Sequence, residues 1–141
     1  MFTQNEITED NGEDIDFVYF GLNNRFTRNI FVSPNNLNET TFIPIPNAST
    51  TTIINNVEAC GCESQLTSLE FDNMNNDDVL NSLPITDTPE LNLSFDNTVV
   101  PRIVVFKTAD GRKGAIKVNR FVENSTNSYI EIDIKVQKEA R

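Results

Sequence analysis

Apolar and polar residues alternate strictly along Tyr129-Ile130-Glu131-Ile132-Asp133-Ile134-Lys135-Val136-Gln137. A period of two puts successive side chains on opposite faces of a strand, so this run predicts a strand with one apolar and one polar face. Two further apolar runs flank Ala109-Asp110-Gly111-Arg112-Lys113-Gly114. Glycine takes the positive φ that a tight turn needs, and Asp-Gly between such runs signals a hairpin. Segments 102–108, 114–122 and 128–138 therefore predict an antiparallel meander. Ile103-Val104-Val105-Phe106 is continuously apolar, the pattern of a strand buried on both faces.

Earlier segments are shorter. Ile15-Asp16-Phe17-Val18-Tyr19-Phe20 predicts a strand, turned by Gly21-Leu22-Asn23-Asn24, and Asn29-Ile30-Phe31-Val32 a second, ended at Ser33-Pro34. Thr41-Phe42-Ile43-Pro44-Ile45-Pro46 reads as extended, and its two prolines confine it to a sheet edge. Residues 50–57 form a β-branched run, and Leu91-Asn92-Leu93-Ser94-Phe95 is a further strand candidate. Over 66–83 the spacing changes. Leu66, Leu69, Met74, Val79, Leu80 and Leu83 recur at roughly helical intervals, Asn76 or Asp77 is placed to cap a helix over 78–83, and Pro84 stops it. Residues 1–14 are polar and acidic and read as a flexible arm, which leaves 15–141 as one β-rich domain.

At 141 residues the chain is long enough to bury a proper core. Its net charge of −10 is unevenly placed: residues 1–101 hold 16 acidic and two basic side chains, residues 102–141 five acidic and nine basic. The basic C-terminal part is either a solvated strand face or a surface for an anionic partner. Nucleic acid is excluded as that partner by the overall negative charge. No apolar run approaches the roughly 20 residues needed to span a membrane.

The chain has no histidine, which removes the commonest general base and metal ligand. A carboxylate-based hydrolase would need two acids roughly 5–10 Å apart in a cleft, and the sequence places no such pair. Two acidic stretches have the oxygen density of a calcium loop: one holds Asp10 and Asp14, the other Asp72 and Asp77. Neither has the spacing of an EF-hand. Cys60-Gly61-Cys62 has three readings: a strained local disulfide, half of a zinc site, or a loop with two small residues. Asp110-Gly111-Arg112-Lys113-Gly114 is neither a Walker A loop nor a GxGxxG, and reads as a turn.

The stretch from Ile103 to Val118, closed by Tyr129 to Lys138, resembles the C-terminal end of a group of small secreted lipoprotein-type domains from Bacteroidota. Asp14-Ile15-Asp16-Phe17-Val18-Tyr19-Phe20 resembles that group's first strand, and Leu69-Glu70-Phe71-Asp72-Asn73-Met74 its middle segment. The resemblance covers about half the chain and implies an exported domain at the cell surface or in the periplasm, tethered through a lipidated cysteine upstream of residue 1. A more distant likeness is to the haem-capturing HmuY-type lipoproteins, which also end in a strand, a DG turn and a strand. Those bind haem through histidines, which this chain lacks, so no cofactor is expected. An oxidising compartment implies a local disulfide between Cys60 and Cys62.

The expected fold is mainly β, an antiparallel sandwich or curved sheet with one or two short helices near 66–83. Ile130, Ile132, Ile134 and Val136 are expected to face the core with Ile103, Val105, Ile116 and Val118. Tyr129, Glu131, Asp133, Lys135 and Lys117 are expected to face water or a second layer. The expected function is a non-enzymatic cell-envelope module that binds a partner protein or a glycan, with Tyr19, Phe20 and Tyr129 as aromatic platforms. The alternative is a structural subunit of a surface or secretion assembly.

Overall fold

The computed structural model describes residues 12–36, 45–57, 66–86 and 93–140. The fold is mainly β, with two antiparallel sheets and two short helices. Strands β1 (Val18–Gly21) and β2 (Asn29–Val32) form the smaller sheet. Strands β3 (Thr52–Ile54), β4 (Arg102–Lys107), β5 (Lys113–Val122) and β6 (Tyr129–Val136) form the larger, in that spatial order. Helices α1 (Ser68–Asn73) and α2 (Asp78–Ser82) lie between β3 and β4 in the chain.

The larger sheet is the middle of three layers. Cross-strand partners share a face. Ile54, Val105 and Ala115 are partners across β3, β4 and β5 and pack with Phe71, Leu80, Leu83 and Ile85 of the helical segment. Ile53, Val104, Phe106, Ile116 and Val118 point the other way and pack on Phe31 and Phe95. Strand β4 is thus covered on both faces, as its unbroken apolar run predicts. This corrects the expected core grouping: Ile103 and Val105 face the helices, whereas Ile116 and Val118 face the smaller sheet.

The expected apolar face of β6 is only half covered. Ile130 and Ile132 pack against the smaller sheet's side, but Ile134 and Val136 are 46% and 43% exposed. A β-bulge between Val118 and Arg120 explains how Phe121 joins the same cluster as Val118. One extra residue, Asn119, reverses the parity of the strand.

The helices form where their caps allow. Thr67 and Glu70 make a reciprocal capping box at the start of α1, with Glu70 N–H to Thr67 Oγ1 at 3.1 Å and Thr67 N–H to Glu70 Oε2 at 2.8 Å. At α2 the side-chain Oδ1 of Asn76 accepts from Asp78 N–H at 3.0 Å, while Asp77 holds the cap position without a side-chain cap bond. Leu69 is 68% exposed, so it lies off the buried stripe that includes Phe71 and Leu80.

Other expectations are trimmed. The β-branched run 50–57 is a strand only over Thr52–Ile54. In the proline-rich segment, 41–44 lie outside the described residues, and Pro46 and Asn47 form a turn. Residues 91 and 92 also lie outside them, and Phe95 makes an isolated bridge to Asn29. Gly12–Asp14, placed by composition in the acidic arm, is a 3-10 turn with Gly12 buried.

Gly114 sits opposite Phe106, and a Cβ there would lie 2.3 Å from the ring's Cζ. That ring is fully buried, so it has nowhere to move. Gly114→Val is expected to cost about 1–3 kcal/mol through overpacking, read as a lower midpoint in urea denaturation.

Candidate functional site

The three aromatic candidates, Tyr19, Phe20 and Tyr129, do converge. They line one open hollow of about 620 Å³ between the β1–β2 turn and the start of β6, together with Leu22, Asn24 and Ser128. Their roles differ because alternation along β1 separates neighbours. Tyr19 is the cross-strand partner of Phe31, packs its ring against it at 5.1 Å with the planes tilted by 49°, and donates its hydroxyl to Asn29 Oδ1 at 2.8 Å. Burial pushes its phenol well above the ordinary value. Tyr19 is therefore a core residue whose edge reaches the hollow. Phe20 is half-buried and packs with Ile30 and Val32 on the opposite side of the smaller sheet. Tyr129 is 47% exposed and is the one ring of the three that offers a substantial surface.

The hollow's polar rim is partly committed. Asn23 Nδ2 donates to Thr27 Oγ1 at 2.6 Å, and its Oδ1 accepts from the N–H groups of Arg25 and Thr27. Asn24 is exposed at the turn, and the Ser128 hydroxyl donates to Ser125 C=O at 3.0 Å. Among the described residues that line it, none carries a carboxylate.

A second depression, about 240 Å³, lies between β2 and β3, where Ser33, Asn35, Thr50 and Thr51 meet. Asn35 Nδ2 donates to Thr50 Oγ1 at 2.7 Å, and Ser33 Oγ accepts from Thr51 N–H at 2.9 Å. The buried Thr51 hydroxyl has no hydrogen-bond partner among the described residues. No periodicity in the sequence marks this cluster, because its members come from loops on either side of the prolines.

The acidic candidates separate. Asp72 pairs with Lys117 Nζ at 2.7 Å, Asp14 closes the 3-10 turn, and Asp77 starts α2. Asp10 lies outside the described residues. Among the described residues no three acidic or cysteine side chains cluster as metal ligands would. Cys60 and Cys62 also lie outside the described residues.

Two lysines of the basic C-terminal part turn inward, while Lys107 and Lys138 are exposed and Arg120 is paired at the surface. Lys113 Nζ donates to the carbonyls of Asn81, at 2.9 Å, and Leu83, at the end of α2. Lys135 Nζ donates to the carbonyls of Phe71 and Met74, at 2.6 and 3.0 Å, and lies 4.9 Å over the Phe71 ring. Arg120 pairs with Glu131, and that pairing holds the Glu131 carboxyl below its ordinary value. The Thr108 hydroxyl and the Arg112 side chain do the same to Asp110 in the β4–β5 turn. Most of the local positive charge is spent on helix ends and neighbouring acids, which leaves little of it for an anionic partner.

Comparison with protein families, with curated proteins and with solved structures found no match.

Lys135→Met keeps the apolar stem over Phe71 and removes the two carbonyl contacts at the end of α1. It is expected to lower stability by about 1–3 kcal/mol, with helical amides over 68–73 losing hydrogen-exchange protection first.

Proposed function

We propose that this domain is a non-catalytic, exported binding module of the cell envelope, and that it takes a glycan at the hollow around Tyr129. The carrying observation is the exposed Tyr129 ring at the edge of an open hollow whose rim offers the exposed Asn24. An exposed tyrosine gives a flat apolar face for a sugar ring and a hydroxyl for its polar groups. The rigid strands hold the ring while the turns beside it supply the polar contacts. The lack of histidine and the absence of carboxylates from the hollow's lining support the non-catalytic part. The exported location rests on the resemblance alone.

A second reading, a subunit of a surface assembly, is favoured by one specific observation. Strand β6 lies at the end of the larger sheet, and Ile134 and Val136 stand exposed on it.

The glycan reading is tested by recording amide chemical shifts during titration with a panel of soluble oligosaccharides. Shifts are expected at Leu22, Asn24, Ser128 and Tyr129. Tyr129→Ala is expected to weaken binding at least about tenfold, roughly 1.4 kcal/mol, without moving the thermal midpoint. Shifts spread elsewhere, or none with any sugar, would remove the glycan reading.

A further inference from the structure

We propose that β6 is a self-association edge: two copies of this chain join β6 to β6 across a two-fold axis and form one continuous eight-stranded sheet. The inference rests on the assembly reading above and is independent of the glycan reading.

The first argument is backbone phase. Gln137 N–H donates to Lys113 C=O at 2.9 Å, on the β5 side. Antiparallel pairing alternates which residues turn their backbone groups inward. Lys135 and Asp133 therefore bond β5, while Val136, Ile134 and Ile132 turn their N–H and C=O groups to the outer edge. Among the described residues no strand lies along that edge.

The second argument is self-complementarity. With Ile134 opposite the second copy's Ile134, Ile132 falls opposite the second copy's Val136. The residues whose backbone groups point outward then meet one another, giving about six backbone hydrogen bonds across the axis. The same register sets Asp133 opposite the second copy's Lys135, twice, on the helix side of the sheet, with the Lys135 ammonium still held by the Phe71 and Met74 carbonyls, so opposite charges rather than like ones face each other across the seam. It also buries Ile134 and Val136 in one apolar row that crosses the axis, and both are otherwise 46% and 43% exposed. A slip by one residue would set Ile134 against charged neighbours and turn the wrong backbone groups together, and a slip by two would set Asp133 opposite Asp133 or Lys135 opposite Lys135 on the axis.

The third argument is access. An open groove of about 640 Å³ borders this part of β6, lined by Met74, Asn76, Asp77, Ile134, Val136 and Lys138. Neither a proline nor a charge that points into the apolar row protects the edge, although natural edge strands commonly carry one. Each copy carries a net charge of −10, so long-range repulsion opposes association and salt relieves it.

Sedimentation equilibrium of the full chain at low salt and at about 0.5 M salt tests this, together with amide exchange by NMR. The expected result is a monomer–dimer equilibrium that tightens with salt. Amides of Ile132, Ile134 and Val136 should gain protection as concentration rises, while those of Asp133 and Lys135 are already protected in the monomer. Ile134→Lys puts two like charges on the axis and removes two isoleucines from the shared apolar row, and is expected to weaken dimerisation about a hundredfold. Ile134→Pro, which removes an outward N–H and leaves the β5 ladder intact, should do the same. A chain that stays monomeric at millimolar concentration in both salts overturns the proposal. So does a dimer that Ile134→Lys leaves intact, because it would use another surface. Neither result touches glycan binding at Tyr129.

Discussion

One buried side-chain amide holds the two sheets in register. Asn55 follows β3 directly and is fully buried. Its Oδ1 accepts from Phe31 N–H and its Nδ2 donates to Phe31 C=O, both at 2.9 Å. A single asparagine thus performs for β2 what a neighbouring strand would. Asn29 closes the rest of that edge by exchanging backbone bonds with Phe95 at 2.8 Å in both directions. Its own side chain is saturated as well, donating to Phe26 C=O and accepting from the Tyr19 hydroxyl. The Arg102 guanidinium lies 4.4 Å over the Phe95 ring and reaches Asn55 C=O, which ties the seam to β4. Buried polar groups of this kind stabilise only when every partner is present.

Seen from this seam, the two ends of the sandwich contrast. The open side of β2 is closed by side chains, so the smaller sheet can remain two strands wide. The open side of β6 has no such closure among the described residues, and the apolar row beyond Ile132 outruns the cover that the narrow smaller sheet provides. Charge follows the same economy. Neither helix carries a basic residue in its last turn, and the sheet supplies Lys113 and Lys135 to those ends instead. The excess of positive charge after residue 101 is largely the consequence of building a helix layer against the sheet.

Much of the fold was legible because it rests on local pattern. The unbroken run at Ile103–Phe106 marked a doubly covered strand, Asp110-Gly111 marked its turn, with Gly111 at φ 89°, and Pro84 marked the end of the helical segment. What was hidden depends on partners distant in sequence. Asparagine disfavours strand interiors on average, so nothing local distinguishes Asn29 and Asn55 from the many turn asparagines. The β4–β5 turn sets a register that pairs Val105 with Ala115 and Val104 with Ile116, and alternation within each strand carries no information about it, which is why Ile103 and Val105 were grouped with Ile116 and Val118. The Thr67–Glu70 capping box, by contrast, stood in the sequence and needed only its spacing to be read. At the candidate site the aromatic residues were found by type, but only the β1–β2 register reveals that Tyr19 serves the core while Tyr129 serves the surface.

The central claim is that the Asn55 amide, rather than apolar contact alone, fixes the smaller sheet on the larger. Equilibrium urea denaturation of Asn55→Leu tests it most directly, with the exposed Asn36→Ala as reference. Leucine keeps the number and branching of the side-chain heavy atoms and leaves both backbone groups of Phe31 buried and unpaired, so the expected loss is about 2–5 kcal/mol, against under about 0.5 kcal/mol for the reference. An Asn55→Leu protein within about 0.5 kcal/mol of the wild type would contradict the account and assign the seam to apolar packing.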